Sequence, residues 1–316
     1  MKDGFQRQIS YLRLSITDLC NLRCRYCMPE CGINKKDHSQ ILTLEEIAEI
    51  VAASARLGIK KVRITGGEPL IRKGIPSLVE QIASIDGIQE IAITTNGLLL
   101  EQMAEDLAKA GLHRVNISLD TLKEDKFQSM ARGGSLQQVL AGIRAAREAG
   151  LTPIKINTVL IGGFNDDEIA DFAELTREDD IEVRFIELMP LGPAASFPEG
   201  SFLPCESILQ KLPHLLPCGD SGVAKLYRLP DANGRIGLIT PISHDFCQTC
   251  DRIRLTSDGK IKPCLHSDTE IPLRGLHGDE LLQRLAESIG QKPEHHPNFI
   301  SGQASAGGRS MNRIGG

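Results

Sequence analysis

The chain has 316 residues, 41% of them hydrophobic and 24% charged, so it is long enough for one large domain and a smaller one. Its formal charge of -5 gives no overall attraction to nucleic acid, and no secretory signal or membrane-spanning run is recognisable. Nine cysteines in such a chain favour metal ligation or redox chemistry in a reducing compartment over disulfides. The sequence therefore predicts a cytoplasmic protein with neither a membrane nor a nucleic-acid partner.

Six short β-branched runs alternate with helical patterns over the first two thirds of the chain. The predicted strands are 12–17, 61–65, 90–95, 114–119, 154–160 and 182–188. The predicted helices are 44–58, 101–111, 135–150 and 166–178, with capping residues at Thr43, Ser135 and Asp166. Strand and helix repeats of this kind pair in parallel through right-handed crossovers. The sequence therefore predicts an α/β fold built on an incomplete (β/α)6 barrel of the TIM type.

The pattern changes after Met189, where six of the 16 prolines fall between positions 190 and 217 and mark a connection. Two hairpins are predicted beyond it, with turns at 232–234 and 257–259. We therefore expect two domains, a partial barrel over 1–220 and a small β-rich module over 221–316. The tail is rich in glycine and serine, and its composition alone predicts disorder.

Three cysteines follow the first predicted strand in a CxxxCxxC pattern, at Cys20, Cys24 and Cys27. Thiolates this close repel each other unless a cation or a cluster takes up their charge, so zinc and an iron-sulfur cluster are both compatible with the pattern. Zinc would need a fourth ligand, for which Cys31 is the neighbouring thiol. A cubane cluster would instead leave one iron open to a small molecule.

A second group of three cysteines lies near the C-terminus. Cys247 and Cys250 form a CxxC pair, and the second predicted hairpin carries Cys264 back beside them. The spacing fits a zinc ribbon with His266 or His244 as fourth ligand, and it equally fits a second cluster with one open iron.

Two arginines lie between Cys250 and Cys264 in the sequence. Arg252 and Arg254 are two positions apart on a predicted strand, so both side chains point to the same face. Adjacent guanidinium groups favour an anion such as a phosphate. Further cations occur on strands that are expected to be buried, namely Arg13, Arg63, Lys155 and Arg184. Cations converging on one mouth of the barrel would form a site for a polyanion despite the acidic overall charge.

The CxxxCxxC motif, with Tyr26 before its last cysteine and "GGEP" at 66–69, resembles the radical S-adenosylmethionine superfamily. The resemblance implies a partial barrel and a [4Fe-4S] cluster on Cys20, Cys24 and Cys27, with S-adenosylmethionine chelated to the open iron. It also implies that the cofactor is contacted by Tyr26, Gly67, Ser118 and Met189.

Nearly the whole chain is similar to the GTP 3′,8-cyclase family, also called molybdenum cofactor biosynthesis protein A. The similarity rests on "LRLSITDLCNLRCRYCMP", "RITGGEPL", "TTNG", "NISLD", "FCQTCDRIRLTSDGKIKPCL" and the terminal "GG". It implies that the chain converts GTP to (8S)-3′,8-cyclo-7,8-dihydroguanosine 5′-triphosphate, the first step of molybdenum cofactor biosynthesis. A second [4Fe-4S] cluster would be bound by Cys247, Cys250 and Cys264.

The same resemblance assigns further residues and partners. The implied substrate-binding positions are Arg13, Arg63, Thr94, Lys155, Arg184, Arg252, Ile253 and Arg254. The implied catalytic positions are Arg252, Arg254, Gly315 and Gly316. An external electron donor and delivery of the product to cyclic pyranopterin monophosphate synthase are also implied. The sequence does not decide the oligomeric state, and a homodimer is one alternative.

Two other functions fit part of the pattern. A radical enzyme that modifies peptides would explain both cysteine groups but neither the paired arginines nor the terminal Gly-Gly. A zinc ribbon that binds nucleic acid would need a basic, aromatic face, which the -5 charge and 4% aromatic content disfavour. The segment 30–42 is short for the family, and Cys31, Cys205 and Cys218 are expected to be buried small side chains or incidental surface thiols.

Overall fold

The structure is a computed structural model that describes residues 1–297, 305 and 307–315, apart from the side chain of His38. Its twelve strands are β1 Tyr11–Ser15, β2 Lys61–Thr65, β3 Glu90–Thr95, β4 Arg114–Ser118, β5 Ile154–Leu160, β6 Ile181–Glu187, β7 Leu216–Ser221, β8 Ala224–Arg228, β9 Arg235–Ile239, β10 Arg252–Leu255, β11 Lys260–Lys262 and β12 Ile271–Pro272. Its eight α-helices are α1 Leu44–Arg56, α2 Ile75–Ala83, α3 Leu100–Lys109, α4 Glu124–Ala131, α5 Leu136–Glu148, α6 Ile169–Glu174, α7 Ser207–Lys211 and α8 Gly278–Gly290.

The first six strands pair in chain order and in parallel, as the sequence predicts. All twelve strands form one sheet in the order β12-β11-β10-β1-β2-β3-β4-β5-β6-β9-β8-β7. Since β12 and β7 lie at opposite ends of this order, the sheet is open. The predicted α/β fold with an incomplete barrel is therefore confirmed.

The C-terminal strands extend both edges of the barrel. Strand β9 pairs in parallel with β6, and β10 pairs in parallel with β1. An open parallel sheet leaves two strand edges with unpaired N–H and C=O groups, and these strands satisfy them. Both predicted hairpins are present, as β8–β9 and β10–β11, and each is attached to the sheet of the barrel.

Predicted helix starts are confirmed where a capping box is present. Thr43 accepts a hydrogen bond from the Glu46 amide at 3.1 Å, and the Glu46 carboxylate accepts one from the Thr43 amide at 2.7 Å. Ser135 forms the same arrangement at the start of α5. Asp166 is not a helix cap, because α6 begins only at Ile169 and the Asp166 carboxylate accepts from the Gly163 amide.

The core lies between the sheet and its helices. Leu12 and Leu14 of β1 are fully buried there, and Arg13 between them points to the opposite face. This alternation separates an apolar outer face, packed on helices, from a polar inner face. Among the described residues, none of the helices combines the length and the apolar character that crossing a membrane requires.

Candidate functional site

A cavity of about 670 Å³ lies on the polar inner face of the sheet. Both predicted cysteine groups line it: Cys20, Cys24, Cys27, Cys247, Cys250 and Cys264. The two groups are more than 200 positions apart in the sequence, and they meet because β10 pairs with β1. The cavity is therefore a single chamber that is lined by both three-cysteine groups.

The first cysteine group lies on the loop after β1. The amides of Cys27 and Met28 both donate to the Cys24 carbonyl, at 2.9 and 3.0 Å, which turns the loop back on itself. Burial raises the pKa of Cys20 to about 11 and that of Cys27 to about 12, and burial with the neighbouring thiol of Cys27 holds the pKa of Cys24 well above its ordinary value.

These thiols fit an iron-sulfur cluster. Three half-buried thiols that resist ionisation and repel one another as thiolates need strongly positive iron to become ligands together. The Leu22 amide donates to Cys20 Sγ at 3.3 Å, and hydrogen bonds of this kind are common around cluster sulfurs. Cys31 is exposed and does not line the cavity, so the structure does not bring the fourth ligand of a zinc site to this group.

The "GGEP" loop packs directly on the cysteine loop. The Gly67 amide donates to the Thr17 carbonyl at 2.6 Å, and a Cβ at Gly67 would overlap the main chain of Asp18 and Leu19. Glycine is therefore required by the close contact between the two loops. The amino group of a bound methionine moiety donates hydrogen bonds, so a contact with Gly67 would use the carbonyl oxygen of this residue.

The other predicted cofactor contacts also line the cavity. Tyr26 donates from its hydroxyl to Asp120 Oδ2 at 2.9 Å, and Asp120 Oδ1 accepts from the Val159 amide at 2.9 Å. Burial raises the pKa of Asp120 to about 6. Ser118 is the last residue of β4 and Met189 lies two residues after β6, and both line the cavity.

The second cysteine group lies at the open end of the β10–β11 hairpin, with Cys247 and Cys250 just before β10 and Cys264 just after β11. Burial would raise the pKa of Cys250, but Lys292 and Arg252 nearby lower it below its ordinary value. Lys292 Nζ donates to the carbonyls of Arg252 and Pro263, at 2.8 and 2.9 Å, and so ties the start of β10 to the segment before Cys264.

Of the histidines near this group, His266 and His296 line the cavity and His244 does not. His244 pairs with Glu206 at 3.0 Å, is largely exposed and does not line the cavity. His266 does line it, and its ring lies 5.2 Å from that of His296. Asp245, Cys247 and His296 have ligand atoms within 4.8 Å of one another, a grouping that the sequence analysis missed.

Three arginines form a row across adjacent strands. Arg13 of β1 lies opposite Arg63 of β2 on one side and opposite Arg254 of β10 on the other. Burial lowers the pKa of Arg63 and of Arg254 to about 10, and burial with both neighbouring arginines holds the pKa of Arg13 well below its ordinary value. So many buried cations favour an anionic ligand.

Additional residues on the same face join this row, although the sequence analysis did not select them. The Arg63 guanidinium lies over the Tyr11 ring at 5.3 Å, and Arg114 donates to Glu90 at 2.7 Å. Lys61 also lines the cavity. The period-two rule of strands would have found Tyr11 and Lys61, because each lies two positions before a selected arginine.

Lys155 and Arg184 form a buried group with one carboxylate. Lys155 Nζ lies 3.1 Å from Glu182 Oε2, and Arg184 also donates to Glu182. Both cations donate to the Ser221 hydroxyl, at 3.3 and 2.9 Å. Burial, together with Arg184, lowers the pKa of Lys155 to about 8.

Of the remaining predicted residues, Thr94 lines the cavity and Ile253 lies in the hydrophobic core. Thr94 lines the cavity, and its buried hydroxyl has no hydrogen-bond partner among the residues that the structure describes. Ile253 points away into the core and could reach a substrate only through its main chain. Gly315 is buried beside Arg254, whereas Gly316 lies outside the described residues.

Comparison with known proteins identifies the family. The sequence matches the Radical SAM superfamily over residues 14–176 and the Molybdenum Cofactor Synthesis C family over 181–298. A GTP 3′,8-cyclase from Alkaliphilus metalliredigens is 54% identical over 100% of both chains, and one from Alkaliphilus oremlandii is 53% identical over the same extent. The chain belongs to the GTP 3′,8-cyclase family.

A solved structure agrees on the fold. SuiB from Streptococcus suis, bound to S-adenosylmethionine, superposes with a TM-score of 0.60 at 17% identity. The match covers 88% of this chain and 63% of that one, so this chain spans less than two thirds of the length of SuiB. Identity this low shows the shared partial-barrel fold alone.

Family membership confirms several predictions together. Radical SAM chemistry with S-adenosylmethionine, two [4Fe-4S] clusters and a place in molybdenum cofactor synthesis are the properties of GTP 3′,8-cyclases that the sequence predicted. The domain boundary at 220 and the roles of individual site residues stay predictions.

Proposed function

We propose that this chain catalyses the conversion of GTP to (8S)-3′,8-cyclo-7,8-dihydroguanosine 5′-triphosphate, as a radical S-adenosylmethionine lyase. The observation that carries the proposal is one cavity that contains two three-cysteine groups and a row of buried arginines. When bound, S-adenosylmethionine at the first cluster supplies a 5′-deoxyadenosyl radical that removes hydrogen from C3′ of the ribose. Bonding of C3′ to C8 of the guanine would then close the new ring and leave an unpaired electron on the purine. One electron, supplied by the external donor, and one proton would convert this radical to the product.

The first half of the cavity would bind the cofactor. Cys20, Cys24 and Cys27 would hold the cluster, and the Gly67 carbonyl would accept from the amino group of the methionine moiety. Tyr26, fixed by its hydrogen bond to Asp120, would form part of the wall beside the adenosyl group. Ser118 and Met189 would complete this wall and keep water away from the reactive carbon.

The second half would bind the nucleotide. Cys247, Cys250 and Cys264 would hold a cluster whose open iron meets the guanine base. Arg13, Arg63 and Arg254 carry charges that lie together in a buried row, and a triphosphate would neutralise them. Arg252, Lys155 and Arg184 also line the cavity and would bind further phosphate oxygens.

Thr94 and Gly315 would contribute uncharged contacts. The buried Thr94 hydroxyl would hydrogen-bond to the nucleotide, which would satisfy a group that is left without a partner among the described residues. Gly315 is packed against Thr65 and Arg254, so it would place the chain terminus next to the substrate.

The wider setting belongs to the same proposal. The enzyme would work in the cytoplasm, where nine thiols stay reduced, and would take electrons from an external donor. Its product would be delivered to cyclic pyranopterin monophosphate synthase. A homodimer is the assembly to test by sedimentation of the reconstituted protein.

An anaerobic turnover assay tests the proposal. Protein reconstituted with iron and sulfide is given a reductant, S-adenosylmethionine and GTP, and the nucleotide product is identified by mass spectrometry. We expect 5′-deoxyadenosine to form in proportion to the GTP consumed. Formation of 5′-deoxyadenosine that ignores GTP and responds to a peptide would contradict the nucleotide assignment and favour peptide modification.

A further inference from the structure

The segment before the terminal glycines contacts both halves of the cavity. On one side, the main-chain N–H of Asn312 lies close enough to the Cys27 thiol to lower its pKa, and the Asn312 side chain donates to the Asp18 carbonyl at 3.0 Å. On the other side, the Gly315 carbonyl accepts from Arg254. Residues 312–315 therefore span the distance from the first cysteine group to the strand between the second cysteines.

Arg309 anchors this segment from outside the cavity. Its guanidinium donates to Asp258 Oδ1 and Oδ2 at 2.9 and 3.0 Å, and to Glu270 Oε2 at 2.7 Å. A further hydrogen bond joins Arg309 Nε to Glu270 Oε1. The arginine therefore binds two carboxylates, each through both of its oxygens, which is the geometry that a planar guanidinium fork favours.

The partners of Arg309 lie beside the C-terminal strands β10, β11 and β12. Asp258 occupies the turn of the β10–β11 hairpin, and Glu270 lies immediately before β12. The side chains of Arg309, Asp258 and Glu270 are only 14%, 19% and 18% exposed. Removing the cation would leave two partly buried carboxylates with less compensation, so the ion pairs hold the segment firmly.

The ion pairs of Arg309 matter for the cavity because Asp258 lies on the same hairpin as Arg254, a residue of the cavity wall. Arg254 lies on β10, and Asp258 lies in the turn between β10 and β11. One hairpin therefore binds both Arg309, through Asp258, and Gly315, through Arg254. Between them, Met311 and Asn312 line the cavity. A shift at Arg309 would displace both contacts at once.

We propose that Arg309 is the positioning residue of the C-terminal segment: its bridge between Asp258 and Glu270 holds Asn312 against Cys27 and Gly315 against Arg254. This inference rests on the proposed function for its effect on turnover, but the placement of the segment does not depend on the substrate. Arg309 itself does not line the cavity and acts through the residues that follow it.

The test compares Arg309→Gln with Arg309→Lys in the reconstituted holoenzyme. Trypsin cleavage after Arg313, followed by mass spectrometry, reports whether the segment is docked. We expect Arg309→Gln to be cleaved on the order of 100-fold faster, because loss of one partner of a buried ion pair weakens the docked state. Arg309→Lys keeps the positive charge but loses the planar guanidinium group that binds both oxygens of each carboxylate. The cleavage rate of this variant should therefore lie between those of Arg309→Gln and the natural protein.

Two further readouts separate positioning from general stability. The midpoint potential of the first cluster should become more negative in Arg309→Gln, because the Asn312 amide no longer stabilises the reduced cluster at Cys27. Turnover number should fall by about 100-fold when groups at the reacting centre are displaced, while iron content stays unchanged. Arg177→Gln serves as the matched control, since Arg177 forms an exposed ion pair with Glu174.

Each outcome decides the question. Unchanged protection of Arg313 in Arg309→Gln, or equal effects in Arg177→Gln, would overturn the inference. If Arg309→Gln does not yield soluble holoenzyme, the double variant Asp258→Asn/Glu270→Gln replaces it, because it removes the same bridge and leaves Arg309 in place. Faster cleavage and a shifted potential without GTP conversion would support the anchor and contradict only the proposed function.

Discussion

Arg254 donates hydrogen bonds to the main-chain carbonyls of Ile314 and Gly315, at 3.1 and 2.6 Å. Arg254 also lies beside Arg13 in the row of buried arginines. One guanidinium group therefore faces both the C-terminal segment and the proposed triphosphate site. Under the proposed function, this arrangement would couple the placement of residues 314–315 to GTP binding, and it leads to the following predictions.

Gly315→Ala should disable the enzyme without removing its clusters. A Cβ at this position would overlap Thr65 Oγ1, and φ is +71°, which disfavours any side chain. We expect turnover to fall by about tenfold or more because the segment is displaced from the substrate. The measurement is 5′-deoxyadenosine formation at saturating GTP, together with iron analysis.

Gly150→Ala is the matched control for this change. Gly150 has φ of +76°, but an added Cβ meets nothing within 4 Å. Both variants carry similar backbone strain, so only the contact with Thr65 differs. Equal losses of turnover in the two variants would show that strain, and not placement of the terminus, accounts for the effect.

Arg252→Ala should weaken GTP binding more than it slows the reaction. Its side chain lines the cavity, is 17% exposed and has no hydrogen bond to the C-terminal segment among the described residues. Loss of one or two charge-assisted hydrogen bonds should raise the KM for GTP by about 10- to 100-fold. Iron at the first cysteine group should be unaffected, as measured by electron paramagnetic resonance of the reduced protein.

Arg284→Ala on α8 is the control for Arg252→Ala, because Arg284 is 44% exposed and forms only a surface pair with Glu287. It should leave KM unchanged. Loss of both clusters in Arg252→Ala would assign this arginine a structural role in place of substrate binding.

GTP binding should weaken as the pH rises above about 8. Burial lowers the pKa of Lys155 to about 8, so the lysine is half-protonated near this pH and loses the rest of its charge as the pH rises further. Because a triphosphate binds the charged form, KM for GTP should rise by up to about tenfold per pH unit between about pH 8 and 9.5. Steady-state kinetics across this range measure the effect.

Lys155→Arg provides the control for the pH profile. Arginine stays protonated over this range, so KM should lose most of its pH dependence in this variant. An identical rise of KM in the natural protein and in Lys155→Arg would assign the titration to another group.

The two cysteine groups should load metal independently. We expect about eight irons per chain after reconstitution, falling to about four in either Cys24→Ala or Cys250→Ala. Cys218→Ala should keep the full content, because Cys218 is exposed on β7 and does not line the cavity. Zinc at the second group of anaerobically purified protein would contradict the assignment of a second cluster.

Much of the barrel could be predicted from local pattern. Strands β2, β3 and β5 have the bounds that the sequence predicted, because a run of β-branched residues between glycines and polar turns identifies a strand without tertiary information. Helices α2, α4, α7 and α8 were missed. In α2, Gly74 adopts a left-handed conformation at the helix start and provides no side-chain cap, so the usual starting signal is absent.

Composition was misleading for the C-terminal segment. Glycine and serine predict disorder, yet the described residues 307–315 are packed against the cavity by the ion pairs of Arg309 and by the buried side chains of Asn312 and Ile314. Their partners lie between about 40 and 300 positions away in the chain, and local composition carries no information about such contacts.

The sequence by itself determined the residue types and spacings that chemistry requires: two groups of three thiols, paired arginines and a glycine loop after a strand. It could do so because neighbouring residues in a motif share a fixed local geometry. Only the tertiary structure decided that Arg13, Arg63 and Arg254 form one row, since strand register is set by pairing between distant segments. The same pairing of β10 with β1 brought the two cysteine groups into one cavity, which no spacing within either motif specifies.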